Sequence, residues 1–121
     1  MKITSHEVIV VDNPLERPFM SGGIIPSSVL RHVILKLHTD EGVSGLGWSF
    51  SHSHRLIPAL ANALDYIASL IHGDDPLMRE EIRQKISRVS RWAGPGFTHW
   101  IQATVNYWDI MASCQAIWEK W

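Results

Sequence analysis

The last thirty residues constrain this chain more than any other stretch. Five of its six tryptophans fall there: Trp92, Trp100, Trp108, Trp118 and Trp121. A helix capped by Thr98 is predicted from His99 to about Trp118. Within it the polar residues Gln102, Asn106, Asp109 and Ser113 recur at i, i+4, i+7 and i+11. Nearly every other position is apolar, including Ile101, Ala103, Val105, Tyr107, Ile110, Met111, Cys114 and Ile117. A helix apolar around most of its circumference is normally buried on several sides. Each covered indole also removes on the order of 200 Å² from water. The whole chain has 121 residues, one domain's worth. Its remaining elements are too few to wrap such a helix, which is therefore expected to lie between this domain and another mass of protein.

Upstream, the pattern changes from strand to helix once and does not alternate, so the expected class is α+β. Ile3–Val11 ends in the β-branched run Val8-Ile9-Val10-Val11 and reads as a strand. Pro14, Pro18 and Pro26, with Ser21-Gly22-Gly23 between them, make Leu15–Ser27 a long loop. Its apolar residues Phe19, Met20, Ile24 and Ile25 suit a mobile lid that folds over a ligand and excludes water. A second strand covers Val29–Thr39, with Val33, Leu35 and Leu37 on one face and His32, Lys36 and His38 on the other. Asp40-Glu41-Gly42 reverses the chain, Gly42 suiting a left-handed position. Val43–Phe50 returns as a third strand with Ser44, Leu46, Trp48 and Phe50 sharing one side. The result is a three-stranded antiparallel meander followed by three main helices.

The first helix carries Leu56, Leu60, Leu64, Ile67 and Ile71 on one stripe, with Ser53 as its cap and Pro58 in its first turn. His72-Gly73 closes it. The second is predicted to start at Asp75-Pro76 and to bury Met78, Ile82, Ile86 and Val89. Gly94-Pro95-Gly96 then forces a turn.

Composition excludes several classes of function. Eleven Lys and Arg against twelve Asp and Glu leave a charge of −1, too balanced for a nucleic-acid or polybasic membrane binder. The single Cys114 rules out an internal disulfide framework and reads as a small packing residue, not a nucleophile. No apolar run approaches a membrane span of about 20 residues and no leader pattern opens the chain, so a soluble cytoplasmic domain is expected. His52-Ser53-His54 could form half of a Zn²⁺ or Cu²⁺ site, but nothing nearby completes it. A helix entrance or a ligand-contacting loop explains the pair better. Asp109 reads as a structural hydrogen-bonding group, and Asp74-Asp75 as helix caps.

The hairpin Thr39-Asp40-Glu41-Gly42-Val43-Ser44-Gly45-Leu46-Gly47-Trp48, then Gly73-Asp74-Asp75-Pro76, then Gly94-Pro95-Gly96 and Trp108-Asp109-Ile110 form a further pattern. In this order and spacing they resemble the N-terminal capping domain of the mandelate racemase/muconate lactonizing enzyme group of the enolase superfamily. The resemblance runs from about Lys2 to Asp109.

It implies a cap seated on a (β/α)₈ barrel. There a Lys or His base takes the proton α to a carboxylate, and Mg²⁺ held by barrel carboxylates stabilises the enediolate. The full-length enzyme would be an acid-sugar dehydratase or a racemase/epimerase acting on a carboxylate such as a sugar acid. The cap would supply two loops over the substrate, with Phe19, Met20, Ser21, Ile24, Trp48, Phe50, His52 and His54 as the substrate-side residues.

No catalytic or metal-binding residue is expected in the chain itself. Its four lysines (2, 36, 85 and 120) form no Lys-x-Lys pair, Asn106 stands where an Asp is common, and Met111–Trp121 departs from the family's usual exit into the barrel. Residues 1–121 are thus read as a cap truncated before its barrel and inactive alone, without nucleic-acid or membrane partners. The alternative is a free-standing, non-catalytic interaction module that associates through its Trp-rich helix, with itself or with a separate barrel chain.

Overall fold

The computed structural model describes residues 1–105 apart from Gly22, Ile24 and His52, with the backbone alone at Phe19, Ser21 and Ile25. Strand β1 (Ile3–Ser21), β2 (Ile25–Thr39) and β3 (Ser44–Ser51) form one antiparallel sheet in the order β1-β2-β3. Helices α1 (Leu56–Leu70) and α2 (Arg79–Ser90) follow. A short 3₁₀ turn (Arg91–Ala93) leads to α3, which begins at Pro95 and is described through residue 105. The expected meander and three helices are present. The expectations placed on Asn106, Trp108, Asp109, Ser113, Cys114, Trp118 and Trp121 lie outside the described residues.

The inner face of the sheet is built as the alternation predicts. Val33, Leu35 and Leu37 of β2 are fully covered, and they meet Ile57, Leu60, Leu64, Ile67 and Ile71 of α1 and its C-cap. Burial of each such aliphatic side chain stabilises the fold by about 1.5–3 kcal/mol. Ile82 and Ile86 of α2 and Ile101 and Val105 of α3 complete the core. Buried hydroxyls return their hydrogens to nearby carbonyls, Ser90 to Ile86 (2.7 Å) and Thr98 to Ser90 (2.9 Å), so no hydroxyl hydrogen there is stranded. The β2–β3 turn closes with Thr39 N–H donating to Val43 O at 3.0 Å, and Gly42 takes φ +77°, the left-handed value its position demanded.

Several expectations are corrected. Leu15–Ser27 is not a long loop: β1 and β2 continue through it as a two-stranded hairpin arm. Ser53 does not cap α1. Arg55 holds that position without a side-chain bond, and Ser53 instead accepts the Leu56 N–H through its carbonyl at 3.0 Å. Pro58 falls third in the helix, where no intrahelical N–H bond is lost. The buried stripe starts at Ile57, not Leu56, which is half exposed.

Asp75 and Pro76 precede a turn and not α2. The Asp75 carboxylate accepts the Leu77 N–H at 2.9 Å, and the helix begins only at Arg79. Met78 and Val89 face outward, and Ser90 is inward because it continues the Ile82–Ile86 line at a spacing of four. The expected turn is made at Gly94, with φ +88°, but the last helix starts before His99, because Pro95 opens α3 as a first helical residue. Thr98 lies inside that helix, bonded to α2. Gln102, the first member of the predicted polar stripe, is buried, with Nε2 donating to Ser87 Oγ at 2.8 Å.

Candidate functional site

The three-stranded part of the sheet ends at one row, Asp12–Arg31–Ser51, in which each residue sits opposite the next. Beyond it only β1 and β2 continue. Pairing holds to Pro14–Val29, is interrupted while residues 15–18 face Ser28 alone, and resumes at Phe19–Ser27, Met20–Pro26 and Ser21–Ile25. Prolines can stand in β1 because it is an edge strand, whose outward positions need no N–H. Gly23 at φ +70° turns the tip.

The other predicted segment, after β3, lies against the root of this arm. His54 donates from Nε2 to the Val29 carbonyl at 2.8 Å, and Ser53 N–H donates to Ser51 Oγ at 3.0 Å. Arg31 grips Asp12 with both prongs of its guanidinium, Nε to Oδ1 at 2.6 Å and Nη2 to Oδ2 at 2.8 Å. That bond, with smaller help from the charges of Arg31 and His54, holds the Asp12 carboxyl below its ordinary range. The hairpin arm and the β3–α1 connection are therefore joined at the same end of the sheet.

The predicted site residues divide accordingly. Phe19, Met20 and Ser21 are on the arm, and the Met20 side chain is 54% exposed. His54 fastens the connection to the arm. Trp48 and Phe50 lie on the outer face of the sheet, stacked on each other with centroids 5.8 Å apart, and His32 tilts against both. Phe50 pairs with His32 one row inside the end of the sheet, and Trp48 pairs with Ile34 two residues further in. Ile24 and His52 lie outside the described residues.

Sequence reasoning missed three polar constellations. One is the Asp12–Arg31 pair. The second is a line across all three strands, in which Glu7 Oε1 lies 2.7 Å from His38 Nε2 and His38 Nδ1 lies 2.7 Å from Ser44 Oγ. That line and Lys36 lower the Glu7 carboxyl, the His38 bond most. The reversal read at Asp40-Glu41-Gly42 hinted at the His38–Ser44 half of it, which the β2–β3 register pairs directly. The third, around His6, joins β1 to α1 and could not be read from spacing.

At the far end of the sheet a groove of about 350 Å³ is lined by Lys2, Asp74, Asp75, Met78, Glu81 and Lys85. The Lys85 ammonium there already holds Asp74 at 2.6 Å and the Leu70 carbonyl at 3.2 Å. Among the described residues no group of three or more His, Cys, Asp or Glu side chains is placed to hold a metal ion. The described residues therefore offer no ligand set for the Mg²⁺ that the family resemblance implies. No helix among the described residues is long and apolar enough to cross a membrane.

The family model of the mandelate racemase/muconate lactonizing enzyme N-terminal domain matches residues 5–117. The chain belongs to this family. Solved structures share its fold. An enolase from Streptomyces coelicolor is 26% identical, with a TM-score of 0.74 over 93% of this chain and 27% of its own. L-talarate dehydratase from Polaromonas sp., complexed with Mg and L-glucarate, is 21% identical, with a TM-score of 0.73 over 86% of this chain and 30% of its own. A dipeptide epimerase from Enterococcus faecalis, complexed with Mg and L-Leu-L-Tyr, is 18% identical, with a TM-score of 0.72 over 87% of this chain and 30% of its own. The chain thus spans at most 30% of the length of these three structures. No curated protein sequence matches it.

Proposed function

We propose that this chain is the capping and specificity domain of a cytoplasmic, Mg²⁺-dependent enolase-superfamily enzyme, an acid-sugar dehydratase or a racemase/epimerase. Proton abstraction and the metal belong to a C-terminal barrel, not to residues 1–121. The arm residues Phe19, Met20, Ser21 and Ile24 cover the substrate. Phe50, near the end of β3, and His52 and His54 after it flank the substrate, and Trp48 backs Phe50. The observation that carries this reading is the joining of the two segments: the 2.8 Å bond from His54 to the Val29 carbonyl makes arm and connection one unit at one end of the sheet. A partly detached, apolar arm suits a cover that excludes water when substrate is bound.

The test uses the protein that joins this cap to its barrel, assayed in excess Mg²⁺ against a panel of sugar acids and other α-hydroxy acids. Conversion of at least one acid is expected. Met20→Ala should lower kcat/KM for it on the order of tenfold through looser positioning, with the melting temperature unchanged. Absence of turnover on every acid, or Met20→Ala kinetics identical to wild type, would overturn the assignment.

A further inference from the structure

Where β1 passes the end of α1, side chains from three separate stretches line up. His6 Nε2 lies 3.0 Å from Asp65 Oδ1, and His6 Nδ1 lies 2.8 Å from His72 Nε2. The two rings are 5.0 Å apart at their centroids and tilted by 54°. A carboxylate can only accept, so Asp65 takes the hydrogen on His6 Nε2 and leaves His6 Nδ1 with its lone pair. That lone pair faces His72 Nε2. A single proton lies between two nitrogens, each able to present a lone pair to a common centre.

We propose that His6 Nδ1 and His72 Nε2 form a two-imidazole site for a late first-row divalent cation such as Zn²⁺, with Asp65 orienting His6. A carboxylate behind a ligating imidazole fixes its tautomer and ring orientation, and Asp65 stands in that position. Imidazole nitrogen selects Zn²⁺, Cu²⁺ or Ni²⁺ over the hard, oxygen-seeking Mg²⁺, so this site is chemically separate from the family's magnesium chemistry.

The geometry needs little change. Two Zn–N bonds of about 2.0–2.1 Å at a tetrahedral angle separate the nitrogens by roughly 3.3 Å. The rings must therefore part by about half an ångström. His72 can supply that movement, since it is exposed and stands in the turn after α1. The His6 side chain is only 12% exposed, so one ligand is held in place before binding. A neutral His72 has only to shift its proton to Nδ1. With two protein ligands, water fills the other positions.

The test is calorimetric titration of Zn²⁺ into the full protein, free of any affinity tag and in excess Mg²⁺, alongside thermal unfolding. One Zn²⁺ site is expected, with a rise in melting temperature because the ion bridges β1 to the end of α1. His6→Gln and His72→Gln should abolish both. Asp65→Asn should weaken Zn²⁺ binding roughly tenfold. His32→Gln and Cys114→Ser should change neither. If His6→Gln fails to fold, the exposed positions 65 and 72 still decide the question. Absence of Zn²⁺ binding, binding that survives His72→Gln, or an unchanged affinity in Asp65→Asn would each overturn the proposal.

Discussion

The two ends of the sheet are built on opposite plans. At the end where β2 turns into β3, the backbone is fastened from several sides. Thr39 bonds Val43, Asp40 N–H donates to the Lys2 carbonyl at 3.0 Å, and Ile3 exchanges bonds with Gly73 and Asp74 at 2.8 and 3.0 Å. Beneath it lie Leu37, Ile71 and Ile3, all buried. At the other end the third strand stops, the pairing of β1 and β2 slips by several residues, and the root is held by Asp12–Arg31 and His54–Val29. A clamped base with a projecting arm lets one part of a small domain carry stability while the other adapts its shape.

Substitutions can break this contrast. The largest effect is expected from Leu64→Ala, beneath the sheet, which should cost about 2–5 kcal/mol in denaturant unfolding, since a buried leucine leaves a cavity. Next come the two turns. Gly42→Ala and Gly23→Ala place a Cβ on left-handed backbone with nothing within 4 Å, so strain is their whole effect, about 1–2 kcal/mol. At the clamped base that strain should appear as lost global stability. In the arm it should appear as faster amide exchange near Met20 with the unfolding midpoint nearly unchanged. Equal midpoint shifts would erase the distinction.

The smallest effect is the acid response. Asp12 at the arm root and Glu7 on the sheet are held below their ordinary values of 3.8 and 4.5, mainly by the Arg31 and His38 bonds respectively. Glu80, bonded by Arg83 and Gln84, is lowered to about 2. In each case the unfolded chain takes up the proton first. The stabilisation is complete above those ordinary values and is lost as pH falls through the lowered ones, about 2 for Glu80. These pairs are exposed, so the slope should be shallow and should weaken with salt. Thermal melts across that window should show Glu80→Gln with a flatter profile than wild type, and Asp12→Asn should change amide exchange in the arm more than the midpoint.

What could be read beforehand followed from periodicity. The alternation of Val33, Leu35 and Leu37, the stripe Leu60, Leu64, Ile67, Ile71 and the reversal at Gly42 are local signals, and each maps onto the observed element. The arm was hidden because Pro14 and Pro18 look like breakers unless one knows that β1 is an edge strand. Pro95 misled in the same way, since its missing N–H is harmless only at a helix start. His54 was visible as a polar residue near a helix. Its bond to Val29, 25 residues away, depends on where β3 ends relative to the arm. Asp12–Arg31 and His6–His72 likewise exist only once register and packing bring distant positions together.

The bonds between Ile3 and the Gly73–Asp74 turn stitch the start of the chain to its middle, about seventy positions away. The opening residues of a domain are usually dispensable tails. Here they are the thread that draws helices and sheet together, so losing Lys2 and Ile3 would unfasten more than the end of one strand.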